Sequence, residues 1–410
     1  MKGMHELNKL INPFINLNKT HANCKEILKK NLETRQNNVD FLVIKLLKNY
    51  VSAKKYLDVH QIMEKLNSKK APFNIANLHQ ILYNSSWVHN DIKLYIIRNA
   101  KNVISYHVEG ICNLPININF TLFNDDDDVS NDVYYILIWL YMIKEYINER
   151  CTLPITIYIY KTPYNKKMPV LNEVLGSYHL NSAVTITSSH SINIVLWRDE
   201  EWFKVFVHET MHGFKLDFSD NPSLSNIRNV FHIKKELRVF EAYTETWAKI
   251  INCLFTSAIA NKCDNLNNNV SKFITTFYMC MNIEALFTIT QMVKILDNMH
   301  LKYQDLHSKN KSDMVKVNTL YKDKTNFFEY FVLTASLMFN YNRFMEWCYK
   351  NNKNHFIKFS GNQHNFSDLI LKHYKSANFV RLVKCIENLV SKNEYKFLSN
   401  TARFTLCGIV

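Results

Sequence analysis

The hydrophobic pattern of this chain changes period in one place, near its middle. Ile155-Thr156-Ile157-Tyr158-Ile159-Tyr160 is β-branched and aromatic, which favours a strand. Ala183–Thr187 and Ile192–Leu196 are two more such runs, and Ser188-Ser189-His190-Ser191 between them is short enough for a hairpin. On either side the apolar spacing is helical. Phe41–Leu47 and Ile62–Leu66 carry it before a break at Pro72, a strong helix is expected over about 133–149, and everything after residue 200 reads as helix with polar breaks near 261–269 and 305–325. Residues 106–132, which hold Pro115 and the run Asp125–Asp128, read as irregular, and the four carboxylates as a solvated loop rather than a cation site. Helix breakers are scarce, with 6 Gly and 7 Pro in 410 residues. The pattern predicts a predominantly helical α+β chain with a small mixed sheet. Its divisions are an N-terminal helical region over 1–130, a core over 131–260 and a C-terminal helical region over 261–410.

Several function classes drop out. No GxGxxG or GxxxxGK[ST] is present, which removes the dinucleotide and P-loop folds. The longest unbroken apolar run, Val133 to Ile143, is about half the roughly 20 residues a spanning helix needs, so no membrane span is expected. The net charge is +14, from 50 basic and 36 acidic residues. That excess suits nucleic acid, but Lys, Asn and Ile dominate together, a bias of AT-rich genomes that raises Lys without any binding role; nothing beyond net charge supports that partner. The cysteines (Cys24, Cys112, Cys151, Cys253, Cys263, Cys280, Cys348, Cys385 and Cys407) are scattered, odd in number and form no CxxC. This argues against a disulfide framework and for a reducing compartment. The N-terminus lacks the apolar core of a signal peptide, so an intracellular protein is expected, not a secreted one.

The informative segment is Trp197–His212, which contains HExxH. Asp199 is a good N-cap, and Glu200 and Glu201 suit the positive end of a helix, so a helix is expected over about 200–212. On it His208 and His212 leave one face, one turn apart, which is the spacing two nitrogen ligands need to grip one Zn²⁺. Glu209 lies about 100° further round the helix, where it reaches a water on the open metal position and serves as general base.

A third ligand must come from elsewhere. Glu236–Lys249 is a strong helix pattern in which Leu237, Phe240, Tyr243, Trp247, Ile251 and Leu254 form the apolar arc and Arg238 and Lys249 face away. Glu241 lies at one edge of the arc and Glu245 one turn further along it. Glu241 is the favoured ligand and Glu245 a support for a ligating histidine, while Glu236, near the start of this helix, is the rival ligand.

HExxH on one helix and ExxxE on a later one resemble the gluzincin metallopeptidases, whose third zinc ligand is a glutamate. The resemblance covers about residues 150–255 and implies a zincin-like core. It implies that His208, His212 and Glu241 hold zinc, that Glu245 supports a histidine and that Glu209 is catalytic. It also implies that peptide or protein substrate adds as a strand along Ala183, Val184 and Thr185. Gluzincins usually supply a downstream oxyanion partner; Tyr330, Tyr341 and His300 are the candidates, and the sequence does not choose among them. The spacing from His212 to Glu241 is longer than in the best-known gluzincins, and Glu236 has the spacing of the peptidyl-dipeptidase branch. More narrowly, Trp197–Ser219 is similar to uncharacterised zincin-like proteins of large cytoplasmic DNA viruses, which implies a viral protein acting in host cytoplasm or virion. The expected activity is that of a zinc metallopeptidase. The alternative is a non-catalytic protein that keeps the scaffold for a structural or assembly role. His179 and His190, which flank the hairpin, read as plain loop histidines.

Overall fold

The computed structural model describes residues 13, 14, 16 and 39–409, other than 86, 112–113, 149–152, 171–172, 220–225, 267–268 and 354. Most of the expected helical stretch before residue 39 lies outside the described residues, as do the N-terminal Met1–Glu6, Cys24, Cys112, Cys151 and the expected helix end at Glu149.

The fold is α+β, with a mixed six-stranded sheet among the described residues. The strands are β1 (Asn67–Pro72), β2 (Asn102–Val108), β3 (Ile116–Leu122), β4 (Ile155–Thr162), β5 (Ala183–Thr187) and β6 (Ile192–Arg198), in the order β1-β2-β3-β4-β6-β5. β3, β4 and β6 run parallel; β1, β2 and β5 are antiparallel to their neighbours. The three strands expected in mid-chain are present, and β5–β6 is the expected hairpin. The reading of the first 132 residues as helical and then irregular is corrected, because β1, β2 and β3 lie there. β3 alternates as Ile116-Asn117-Ile118-Asn119-Phe120, with the apolar side chains buried. β1 is an almost wholly exposed edge strand and carries no alternation.

Ile116, Ile118 and Phe120 of β3, Ile155, Ile157 and Ile159 of β4, and Ile192, Ile194 and Leu196 of β6 face the main core. The opposite face, through Tyr160, Val195 and Trp197, packs on Leu78, Leu82, Val88, Ile92 and Ile96. The helices include α1 (Asp40–Val59), α2 (Asn90–Asn99), α3 (Ser130–Met142), α4 (Trp202–Gly213), α5 (Val239–Ala260), α6 (Val270–Asn298) and α7 (Ala377–Ser391). The expected helix over 133–149 thus breaks at Ile143, with a short helix Lys144–Asn148 beyond it. The helix α6 is long and apolar enough to cross a membrane by length and composition, yet 67% of its most apolar window is buried inside the protein, as in a core helix. Cys253, Cys263, Cys280, Cys348 and Cys407 are free and buried, and Cys385 is disulfide-bonded.

Helix α4 packs on β5 and β6. Gly213, its last residue, is needed for that approach: a Cβ there would lie 3.1 Å from Ile194 Cδ1. Trp139 Nε1 of α3 donates to Thr210 Oγ1 at 2.9 Å and locks α4 from its other side. The start of α4 differs from expectation. The helix begins at Trp202, and Glu201 precedes it in the left-handed region at φ 61°, so Asp199 gives no side-chain cap. That turn sends the Glu201 carboxylate inward. It pairs with Lys166 and accepts from the backbone N–H groups of Phe404 at 2.7 Å and Thr405 at 2.5 Å. Although burial opposes the charge, Lys166, Arg403 and Lys204 hold the Glu201 carboxyl down at about 2. Glu200, also buried, accepts from Lys166 N at 2.6 Å instead of lying on a helix end.

Helix α5 is buried on nearly every face. Lys249, expected to face away from the arc, is fully buried; it donates to the Phe404 carbonyl and lies 3.7 Å from Glu284 and 3.8 Å from Glu245. We expect Lys249→Met to destabilise the fold by about 3–5 kcal/mol in urea denaturation, the usual cost of removing one partner of a buried ion pair. A loss below about 1 kcal/mol would show that water reaches this position.

Candidate metal centre

His208 and His212 stand one turn apart on α4, and Glu241 faces them from the first turn of α5. His208 Nε2 and His212 Nε2 are 3.1 Å apart, and Glu241 Oε2 is 3.3 Å from each. Every other polar atom of these side chains is committed. His208 Nδ1 lies 3.0 Å from Glu245 Oε2, His212 Nδ1 bonds Asp217 Oδ2, and Glu241 Oε1 accepts from Asn326 Nδ2 at 3.0 Å. The two Nε2 atoms and Glu241 Oε2 are therefore left converging, and Glu241 Oε2 is buried with no hydrogen-bond partner.

This geometry tests whether a metal fits. Ligands at bond lengths of about 2.0–2.1 Å on the corners of a tetrahedron lie roughly 3.3–3.4 Å apart. The three edges match that length, and two imidazoles with one carboxylate form a donor set that zinc accepts. Carboxylates on both Nδ1 atoms present the Nε2 atoms to one point, as in metal-bound histidines. His208, His212 and Glu241 are, among the described residues, a cluster able to hold a metal ion.

The surrounding charges follow. Burial works against ionising Glu241 and Glu245, but the facing cations outweigh it. His212 and His208 hold the Glu241 carboxyl well below its usual range, and Lys204 with His208 and Lys249 holds Glu245 at about 2. Lys204 Nζ donates to both Glu245 oxygens at 2.9 Å. Asp217 was not among the expected residues. It also accepts from Ser219 N at 3.1 Å, Ser219 Oγ at 2.7 Å and Thr244 Oγ1 at 3.1 Å, which fixes the turn after α4. Its sequence signal is a carboxylate five residues past the second histidine, weak by itself.

Glu209 is the one acid of the HExxH motif, and Thr185 Oγ1 of β5 donates to its Oε2 at 2.7 Å. β5 is an edge strand, so its side away from β6 carries unpaired backbone groups. Arg198 fixes the approach to that strand by donating to the carbonyls of Tyr164, Asn165, Tyr178 and Asn181 at 2.7–3.2 Å. Ala183, Val184, Thr185, Glu209, His208, His212, Glu241 and Tyr330 all line one cleft of about 520 Å³.

Of the three oxyanion candidates, only Tyr330 is near. Its ring centroid is 5.7 Å from that of His208, and it sits in a π-helical turn, Phe328–Leu333. Burial and the Glu241 carboxylate keep its phenol protonated well above the usual range, which leaves it a donor. Tyr341 is buried 6.3 Å from the Tyr278 ring, and His300 is exposed in the turn after α6, so neither lines the cleft. Glu236 precedes α5 and is exposed at the cleft rim. His179 lies buried 3.2 Å from Glu173, and His190 is in the exposed hairpin loop. Comparison with protein-family models, curated proteins and solved structures finds no match.

Zinc titration of purified variants checks the ligand set. Glu241→Ala is expected to abolish stoichiometric binding and Glu236→Ala to leave it unchanged, while Asp217→Asn weakens it by about 10–100-fold.

Proposed function

We propose that this protein is a zinc-dependent hydrolase of peptide bonds, with a gluzincin-like core made of α4, α5 and the β5 edge. The observation that carries this reading is the triangle of His208 Nε2, His212 Nε2 and Glu241 Oε2, with edges of 3.1, 3.3 and 3.3 Å, beside Glu209 in the same cleft as a free strand edge. When bound, zinc supplies a Lewis acid for a carbonyl oxygen and acidity for a coordinated water. Three protein ligands with access to a cleft favour a catalytic over a structural role, because structural zinc is closed by four protein ligands and has no use for Glu209.

The chain's own residues supply the rest. An extended substrate pairs with the outer side of β5, which aligns its backbone across the cleft. Glu209 accepts a proton from a water and returns it to the leaving amine. Thr185 occupies Oε2 of Glu209, and Oε1, without a partner among the described residues, is the proton acceptor. Tyr330 donates from its phenol to the oxygen that gains negative charge.

Peptide-library cleavage by the zinc-loaded protein tests the reading, with a chelated sample as control. Glu209→Gln is expected to retain zinc and lose about 10²–10⁴ in turnover. Tyr330→Phe is expected to lower kcat by about 10²–10³ with KM within a few-fold. A zinc-loaded wild type that cleaves no peptide, or a Glu209→Gln variant that keeps its activity, overturns the assignment.

A further inference from the structure

A second cavity, of about 580 Å³, shares no lining residue with the cleft. One wall is a face of α7. Ala377, Val380, Arg381, Lys384 and Glu387 recur at three- or four-residue spacing and form a stripe roughly 15 Å long. Lys309 and Lys375 line the cavity from other segments. None of these four cations has an ion-pair partner among the described residues, and all are exposed enough to reach a ligand. The acids nearby are already committed. Glu387 Oε1 accepts from Tyr303 N at 3.0 Å, and Asp305 is held by Lys316 at 2.6 Å.

Two further observations mark the place as unsatisfied. The start of α7 has no side-chain cap, and the Ser376 Oγ beside it is buried without a partner. His307, 8% exposed, lines the cavity, and its Nε2 has no partner either. Phe231, Tyr303 and Tyr374 pack its ring with centroids 5.0–5.9 Å away. Burial and the neighbouring Lys375 hold this imidazole neutral, down at about 4, so it adds no fifth positive charge.

We propose that this cavity binds a small phosphate ester, its phosphate held by Arg381, Lys384, Lys375 and Lys309 at the start of α7. Four unpaired cations exceed what one carboxylate neutralises and match a phosphate dianion, for which an uncapped helix start adds N–H donors. Glu387 at the far end of the stripe repels further phosphates, which argues for a mononucleotide-sized ester rather than a strand of nucleic acid. The hydroxyl or amino groups of such an ester suit that carboxylate.

Isothermal titration of the full chain at fixed ionic strength tests this, with AMP, glycerol phosphate and adenosine as probes. Saturable one-site binding of AMP or glycerol phosphate, with none of adenosine, is expected. Arg381→Gln/Lys384→Gln should weaken it at least tenfold, while Lys69→Gln/Lys70→Gln on β1, with the same charge change, stays within twofold. Matching thermal unfolding shows that both doubles are folded. Absence of saturation, equal weakening by both doubles, or binding of single-stranded RNA without binding of AMP overturns the proposal. No arm adds zinc or alters a residue of the metal cluster, so the result is independent of the hydrolase reading.

Discussion

Lys204 and Glu245 meet across the contact of α4 and α5, with the ammonium nitrogen 2.9 Å from both carboxylate oxygens and almost no exposure on either side. A pair this dry contributes little net stability over two well-packed apolar side chains. What it contributes is register. Apolar contacts tolerate sliding of one helix along another, whereas a two-pronged ion pair does not. The helices run antiparallel, so the partners form a ladder: Lys204 on Glu245, His208 between Glu245 and Glu241, and His212 on Glu241. Moving α5 by one turn would leave a single carboxylate facing the histidines and bring Leu237 or Lys249 to the other position. The converging ligand atoms are thus a consequence of a charge pairing one turn away.

That pairing sits within a wider buried network. The side chains of Lys166, Glu200, Glu201, Lys249 and Glu284 are also buried, and each is costly unless its charge is matched. Lys166 pairs with Glu201 and Lys249 lies beside Glu284, and much of the remaining hydrogen bonding comes from the segment 398–407. Glu284 Oε1 accepts from Thr405 Oγ1, Leu406 N and Cys407 N at 2.6 Å, Lys294 donates to Leu398 O at 2.7 Å, and Gln291 to Arg403 O at 2.6 Å. The Phe404 ring lies under Lys166 and Lys204 at 4.3 and 4.5 Å and against Tyr330 at 5.4 Å. The tail therefore reaches the candidate oxyanion donor and the Glu245 counter-charge through direct contacts.

What the sequence made legible was local. The i, i+4 histidines, the Glu241/Glu245 pair and three strands rest on spacings of two to four residues, and short-range periodicity carries those. What it concealed was set by partners far along the chain. Lys249 reads as solvent-facing by type, and the Phe404 carbonyl, 155 residues on, together with Glu284 makes its burial tolerable. Glu200 and Glu201 look like residues of a first helical turn until Lys166, Arg403 and the backbone of Thr405 draw them inward. α5 is buried nearly all round, polar residues included, so its apolar arc does not tell which face meets α4. β1, exposed and polar, has no pattern to read, and β3 was hidden between Pro115 and the acidic run despite clean alternation.

The reach of the tail also sets an order of assembly. Glu201 and Phe404 are 203 residues apart. At ribosomal rates of about 5–20 residues per second, the segment that hydrogen-bonds Glu201, Lys249 and Glu284 emerges on the order of ten seconds after α4 and α5. Through that interval these groups keep their water, so the interior behind the histidines stays wet. Closure of the core is then a late event of biosynthesis, and a nascent chain stalled before residue 400 carries all the ligand side chains without the dry scaffold that aims them.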